Sequence, residues 1–578
     1  MYIVDIETEG LDLHTRINYI GVGNKKTKKI FRFPEQKDEC VVYLNSLLSL
    51  GEKFGYHGGK FDTVRILRSI GVDLPIHHDS LVLGYLYSTA NELKENKKKK
   101  WLNLKKMAVR LLGVEDWDID LDNKKSLFYE HELIPYLEKD LDMSHDLIEF
   151  FRTHLDPKHF GTYKLILKAL NAFKYIELNG IPIDLKMLAE AKKVYEKEQY
   201  RLEEELKKHA NINYRSSKQL AELLYSDLEL PMLKKSNKGN PSADKESLVF
   251  LKGQHKVVDL LLEYRKAYKA YAFLKDWEER HINGRLYGTF NLVNTVSGRT
   301  SCSEPNLQQI PRNKTIKSVF RSTDPEWVMV QLDYSQLELR VAAMVANVKE
   351  MKEAYKRGED LHTKMAMIIT GKEKSEITKE DRTSAKAANF GYLYGMSADT
   401  FVSYAKINYG VDLTLAQARM IRDDFFKLFN ELPAYYRRTE DELYSKFELK
   451  TIMNRYYRLT SKYYSKRERG EYLRSGTNAT VQSPANDIVL CGIIEVVETL
   501  PNDKFRICAT VHDSIIAEVR KDSLHLVKQA QAIMEHPKLV KEFLIKDFEL
   551  DVELKVDIEI GPWGMGIPYE QYVKENNL

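Results

Sequence analysis

A chain of 578 residues is several times the usual domain size, so two or more hydrophobic cores are expected. The composition, 43% hydrophobic and 30% charged, is globular, and Cys40, Cys302, Cys491 and Cys508 form no CxxC pair, which argues against a disulfide scaffold or thiolate zinc site and fits a reducing cytosol. No cleavable leader and no run of about 18 apolar residues argues for secretion or membrane insertion, and a net charge of +4 (89 minus 85) does not by itself announce nucleic acid.

The opening MYIVDIETEG reads as a short buried strand carrying two acids. Side chains two apart in a strand share a face, so Asp5 and Glu7 converge on one spot, the arrangement that holds a hard divalent cation. A strand edge with solvated acids is the alternative. KTKKIFRF continues the strands, and KFDTVRILRSIG is a helix with a glycine stop that places Asp62 at its start. KENKKKKWLNLKK, residues 94 to 106, reads as a solvated lysine loop. YLEKDLDMSHDL sets Tyr136 and Asp140 one helical turn apart on one side, closing an α/β domain at about residue 155. Four carboxylates with a tyrosine can hold two metals about 4 Å apart around a phosphodiester, which is nuclease chemistry.

From about 160 to 275 the signal is helical, in LAEAKKVYEKEQYRLEEELKKHA and LVFLKGQHKVVDLLLEYRKAYKAYAFLKDW, with the polar loop KKSNKGNPSADKES between them. Residues 286 to 345 and 505 to 563 return to strand-like alternation around a helix-rich block. In WVMVQLDYSQ, Asp333 ends a buried strand, as a metal ligand or a helix N-cap. CATVHDSIIAEV puts His512 and Asp513 at the centre of a second apolar run, read as a hairpin, where a cap reading fails. Two such strands side by side bring Asp333 and Asp513 together, able to bridge two magnesium ions around a triphosphate. In DRTSAKAANFGYLYGMS, Arg382, Lys386 and Phe390 share a helix face with Asn389 and Tyr394 adjoining, cations for polyphosphate and rings for a base. A packed aromatic stripe is the alternative, but a core stripe excludes the two cations. From Arg455 to Arg474 basic residues interleave with Tyr456, Tyr457, Tyr463, Tyr464 and Tyr472, a candidate nucleic-acid face. No repeat or long low-complexity tract occurs.

The ordered set DxE, KFD and YxxxD resembles the DEDD exonucleases with tyrosine in the third motif, the proofreading type. By that resemblance Asp5, Glu7, Asp62 and Asp140 bind the metals and Tyr136 orients the attacking water. Such domains commonly carry an asparagine before KFD, where this chain has His57, Gly58 and Gly59; the change bears on the fit of the departing strand, not on the metal ligands. DYSQLELR, RTSAKAANFGYLYG and VHDS resemble motifs A, B and C of the DNA polymerase I family (family A). NGIPID, SSKQLAELL, TVSGRTSCSEPNLQQIPRN and RSGTNATVQSPANDI agree in order, so the resemblance spans nearly the whole chain.

The resemblance implies an α/β and α+β multidomain fold: an RNase H-like 3′-to-5′ exonuclease domain at 1–155, then a right-hand polymerase at 156–578. Its antiparallel palm sheet is expected from 156–194, 276–345 and 475–578, a helical thumb from 195–275 and helical fingers from 346–474. Asp333 and Asp513 are implied to bind the catalytic magnesium ions with help from the Tyr334 carbonyl, while Arg382, Lys386 and His362 contact the incoming triphosphate. Phe390 and Tyr394 are implied to lie against its sugar and base, with Gln336 also in the dNTP site and Glu338 as the steric gate against a 2′-hydroxyl. Arg299, Arg474, Asn478, Gln482 and His512 are implied to contact primer and template. Two Mg2+ are expected in each centre, with Mn2+ as an alternative, and the partners are primer-template DNA, dNTPs and phage replisome proteins, with no membrane.

Phe rather than Tyr at 390 implies poor acceptance of dideoxynucleotides. Ser514 replaces the glutamate usual after HD, from which activity with altered metal use is expected, and Ser483 replaces a glycine, removing backbone permissiveness from a primer-contacting helix. The start of the chain at its exonuclease site is expected to mean that the 5′ nuclease domain is absent, a compact plan that resembles phage-encoded replicative polymerases; a monomer in the host cytoplasm is expected. The thumb block is too short for the insertion through which some phage members recruit a processivity protein. Competing readings are a polymerase with a relic exonuclease domain acting in repair or bypass synthesis, a non-catalytic nucleic-acid scaffold, and a reverse transcriptase, which shares palm acids but not motif B.

Overall fold

The computed structural model describes residues 1–117, 130–236, 239–311, 313–460 and 466–576. Tyr463, Tyr464, Arg312 and part of the 234–247 loop lie outside the described residues. Two five-stranded sheets organise the chain.

In the first sheet the order is Lys28–Arg32, Ile17–Gly23, Tyr2–Thr8, Phe54–Tyr56, His78–Asp79. The first three strands are antiparallel, and the last two join in parallel. Ile3, Val4 and Ile6 are buried, because the helices Gly59–Ile70 and Glu130–His154 pack against the Tyr2–Thr8 strand. The expected glycine stop is present: Gly71, in the left-handed region at φ 72°, caps the Gly59–Ile70 helix. The lysine run departs from the loop reading. It forms two helices, Ala90–Lys99 behind a Thr89/Glu92 capping box and Leu104–Leu112 behind an Asn103 N-cap. Leu104, Met107 and Ala108 supply the buried face that holds the second helix in place.

The helices Leu185–Lys207 and Lys256–Arg280 pack along each other. Their inner residues Leu188, Ala191, Leu274 and Trp277 join the main core, whereas Leu202, Leu206, Leu261 and Tyr264 build a separate core with Leu220 and Leu248. The run LVFLKGQHKVVDLLLEYRKAYKAYAFLKDW, read as helical, belongs to two helices, Lys245–Phe250 and Lys256–Arg280, parted at Gly253, whose φ of 80° a helix cannot contain.

The second sheet is antiparallel throughout, in the order Phe505–Val511, Ser514–Arg520, Trp327–Tyr334, Val556–Ile560, Ile567–Pro568. Its central strand buries Val328, Met329, Val330, Leu332 and Tyr334, so successive residues on both faces are covered. After it, left-handed Gln336 turns the chain into the helix Leu337–Val345, a segment expected to be strand-like. Helices Lys349–Lys356, Leu361–Thr370, Lys379–Leu393, Ala398–Tyr409, Leu415–Leu428 and Leu432–Lys446 follow. The helix Lys466–Thr499 then runs unbroken through Gln482 and Ser483, so the loss of backbone permissiveness at 483 falls inside regular helix; Ser483 is buried and its hydroxyl donates to the Ser297 carbonyl at 2.6 Å.

The two sheet regions are joined by buried polar contacts. Lys60 pairs with Glu177, which also accepts the Phe290 backbone N–H at 2.6 Å. Arg458 donates to the carbonyls of Leu86 and Ser88. Among the described residues no helix is long and apolar enough to cross a membrane.

Candidate functional sites

The first sheet carries one acidic centre. Carboxylate oxygens of Asp5, Glu7 and Asp140 all lie within 4.8 Å of one another. Asp62 stands outside that tight triad, buried in the first turn of its helix and close enough to act electrostatically on Asp5. Burial, then the like charges of Asp62, Asp140 and Glu7, pushes the Asp5 carboxyl well above its ordinary range, and burial with Asp140 pushes Glu7 up to about 7. Three converging oxygen donors, with no thiol or imidazole among them, fit a hard divalent cation.

The groups around these acids explain the unusual motif before Asp62. Gly58, at φ 85°, needs the left-handed region, and a Cβ on Gly59 would sit 2.3 Å from the Tyr56 ring. Asp79 holds the bend by accepting the N–H groups of Gly58 (3.1 Å) and Gly59 (2.8 Å), while capping its own helix. His57 contacts the Ser80 hydroxyl at 2.9 Å, and burial lowers its pKa to about 4. Asp140 is held at both oxygens, by the Trp117 indole N–H at 2.6 Å and by Lys105 at 3.3 Å. Lys105 also donates to the Tyr136 hydroxyl at 2.5 Å.

The second centre lies at the end of the other sheet. Asp333 sits within the Trp327–Tyr334 strand, not at a helix cap; the cap position of the next helix is Gln336. Residues 512 and 513 form the tip of the hairpin between Phe505–Val511 and Ser514–Arg520, with His512 at φ 58°. Asp333 pairs with Ser514 across the strands, and the Tyr334 N–H donates to the Asp513 carbonyl at 3.2 Å, so the two acids meet. Burial, then Asp513, Asp557 and Glu559, pushes Asp333 up to about 7, while Lys386 opposes the shift. Burial also raises Asp513. The buried Ser514 hydroxyl donates to the Val511 carbonyl at 2.9 Å, so it serves the hairpin.

Facing this pair, the helix Lys379–Leu393 presents Arg382, Lys386 and Phe390 along one side. Buried Asn389 donates to His362 Nδ1 at 2.8 Å, and the His362 ring lies 5.7 Å from that of Phe390. Burial lowers the His362 pKa to about 4. Glu338 accepts hydrogen bonds from Arg299 and the Tyr394 hydroxyl, and burial with Asp513 pushes it up to about 7. Asp360 accepts from Arg382 Nε at 2.7 Å and from Gln336 Nε2 at 2.7 Å. Arg474, Asn478 and Gln482 recur every fourth residue on the Lys466–Thr499 helix and line a groove of about 380 Å3.

The basic and aromatic cluster that starts at Arg455 is more internal than its composition implied. Arg455 is buried against Asp487 (2.6 Å), Tyr457 packs in a small core with Leu443 and Leu449, and Tyr472 stacks under Lys94 at 4.3 Å. These side chains join sheet regions, so charge and aromaticity alone misread them as a stacking face.

Residues 185–564 match the family model for DNA polymerase family A. The chain belongs to that family. It is 27% identical over 574 residues to DNA polymerase I of Aquifex aeolicus (strain VF5), covering 95% of this chain and 94% of that protein. It is 30% identical over 432 residues to the thermostable DNA polymerase I of Thermus filiformis, covering 72% and 50%, so it spans about half the length of that relative. With the DNA polymerase of Bacillus phage SP01 it shares 27% identity over 600 residues, covering 90% and 64%. Its fold matches the solved POL domain of Pol1 from M. smegmatis, in complex with DNA primer-template and dNTP, with a TM-score of 0.82 at 23% identity over 98% of this chain and 95% of that one. The architecture is thus an α/β region followed by the palm, thumb and fingers arrangement of family A.

Asp79, Lys105, Trp117 and Asp360 were not singled out in the sequence. Asp79 and Asp360 stood before apolar helical runs, which is a capping signal. Nothing in the lysines themselves set Lys105 apart from Lys106, its exposed neighbour; only its place beside the apolar face of Leu104, Met107 and Ala108 did.

Proposed function

We propose that this family A chain extends a DNA primer on a template from dNTPs and also shortens the primer 3′ end, with polymerization in residues 156–578 and hydrolysis in residues 1–155. The observation that carries this reading is the presence of two separate acidic centres, each on its own sheet: Asp333 with Asp513, and Asp5, Glu7 and Asp140. The relatives named DNA polymerase and the solved relative in complex with primer-template and dNTP support the same substrates. Similarity to a phage polymerase supports a role in phage replication, in the host cytoplasm.

In the polymerase centre the primer 3′-hydroxyl loses its proton to solvent as its oxygen bonds to the α-phosphorus of the dNTP, and the bond from that phosphorus to the bridging oxygen breaks to release pyrophosphate. Asp333, Asp513 and the Tyr334 carbonyl are the groups that would hold magnesium here, and Asp5, Glu7, Asp62 and Asp140 those that would hold it in the exonuclease centre; manganese would be an alternative in both. Two such cations per centre supply charge neutralisation and activation of the attacking oxygen. Arg382, Lys386 and His362 offset the triphosphate charge, Phe390 and Tyr394 bear on its base and sugar, and Gln336 and Glu338 border the sugar. Arg299, Arg474, Asn478, Gln482 and His512 guide primer and template. In the exonuclease centre Tyr136 orients the attacking water.

The test follows a 5′-labelled primer on a longer template with magnesium, with and without dNTPs, for the parent, Asp5→Ala and Asp333→Ala. Extension lost only in Asp333→Ala and shortening lost only in Asp5→Ala is the expected result. A parent that extends but never shortens a mismatched primer refutes the exonuclease half, and one that does not extend refutes the whole.

A further inference from the structure

Lys105 is only 7% exposed, and its ammonium group enters the acidic centre of the first sheet. It lies 2.5 Å from the Tyr136 hydroxyl and 3.3 Å from Asp140 Oδ2, with its Nζ 4.3 Å from the centre of the Tyr136 ring. The neighbouring Lys106 points outward and donates to the Lys99 carbonyl at 3.2 Å. Leu104, Met107 and Ala108 anchor the same helix, so an aliphatic side chain at 105 would serve packing as well. Burying a lysine carries a desolvation penalty that opposite charge must offset, and here the charge is the acidic cluster itself.

We propose that Lys105 is a positioning residue of the exonuclease centre, holding the Tyr136 hydroxyl and Asp140 and adding a fixed positive charge for the scissile phosphate. The inference rests on the exonuclease reading above. Because Nζ donates into a lone pair of Tyr136 Oη, the hydroxyl proton must point away from Lys105, which fixes the one donor Tyr136 has. Charge balance gives the second role. The four carboxylates carry four negative charges and two divalent cations would balance them, leaving the charge of the phosphodiester to Lys105. In the reaction a water oxygen bonds to phosphorus and releases its proton to solvent. The bond from phosphorus to the 3′-oxygen breaks, and that oxygen takes a proton from solvent, releasing a nucleoside 5′-monophosphate. Lys105 keeps its protons throughout.

A residue that only supports the fold and one that supplies charge differ in what their loss does to metal affinity. Removing a cation from beside the carboxylates should tighten divalent binding, whereas loosening the scaffold should weaken it. Mn2+ binding would be read by electron paramagnetic resonance of the free ion, in full-length chains that also carry Asp333→Ala and Asp513→Ala so that the other centre is silent. Shortening of a labelled primer would be followed under single-turnover conditions at saturating Mg2+, with Lys105→Met, Lys105→Gln, Lys105→Arg and Asp5→Ala. Lys105→Met and Lys105→Gln are expected to bind Mn2+ several-fold more tightly while hydrolysing at least ten-fold more slowly, with part of the rate restored in Lys105→Arg. Primer extension by Lys105 variants without the two palm substitutions checks their folding, and Lys105→Gln serves if Lys105→Met fails that check. Hydrolysis within two-fold of the parent, or Mn2+ affinity falling together with hydrolysis, overturns the proposal. Shortening retained at the parental rate in Asp5→Ala instead overturns the exonuclease reading, whatever Lys105 does.

Discussion

Glu7→Gln should stabilise the metal-free protein while disabling the centre to which Glu7 belongs. In the folded chain burial, and after it the charge of Asp140, holds the Glu7 carboxyl at about 7 against an ordinary 4.5. Below the lower value both folded and unfolded chains hold the proton, so Glu7 contributes no pH dependence. Between the two values the folded chain retains a proton that the unfolded chain releases, and stability falls as pH rises. Above about 7 the loss is complete, on the order of 3 kcal/mol at 1.36 kcal/mol per pH unit. Glutamine never ionises, so the variant escapes this loss. In EDTA the difference between variant and parent should grow from near zero at pH 4.5 to its full value at pH 8. For a cooperative unit of about 150–250 residues that corresponds to roughly 6–12 °C in the melting midpoint. Differential scanning calorimetry at a series of pH values reads it directly. Adding MgCl2 at pH 8 should raise the midpoint of the parent and raise that of the variant far less, because a donor of the cluster is gone. A variant that melts below the parent at pH 8 in EDTA, or a difference that does not change between pH 4.5 and 7, refutes the reasoning.

Three further outcomes are expected. Asp487→Ala leaves Arg455, 5% exposed at the side chain, without its carboxylate, and should destabilise the fold by about 3–5 kcal/mol in urea titration, whereas Arg455→Met combined with Asp487→Leu should lose much less. Asp360→Asn keeps an N-cap acceptor for the Leu361–Thr370 helix but weakens the tie to half-exposed Arg382; a pair of this exposure is worth about 0.5–1 kcal/mol, so the KM for dNTP should fall roughly 2–5-fold in steady-state extension. Phe390→Tyr should increase dideoxynucleotide termination in a sequencing-type ladder, and an unchanged ladder would count against the assignment of the Lys379–Leu393 helix to the dNTP site.

Much of the candidate machinery was legible because it obeys local periodicity. Asp5 and Glu7 share a strand face, Tyr136 and Asp140 share a helix face, and Arg382, Lys386 and Phe390 follow one another by turns, so spacing alone grouped them. The meeting of Asp333 with Asp513 is non-local, but each lay against a buried apolar run, and pairing of such runs is how sheets hide them. What stayed illegible depended on which neighbour a side chain finds after folding. Arg455, Tyr457 and Tyr472 have the composition of a nucleic-acid face, yet a partner 32 residues away in sequence, a small core and a lysine from the first sheet region claim them.

Lys105 and Lys106 make the same point at a single step of a helix. Adjacent positions on a helix are turned about 100° apart, so one lysine of a pair can face a core while the other faces water. A lysine run carries no mark of that choice, because each member is equally polar. The mark lies in the residues around it: Leu104, Met107 and Ala108 define a buried face that includes position 105 and omits 106. A charged residue on such a face must meet opposite charge or forfeit its own. The acids of the Tyr2–Thr8 strand and the Glu130–His154 helix are where that charge is found, and the same physical requirement that buries Lys105 places it beside Tyr136.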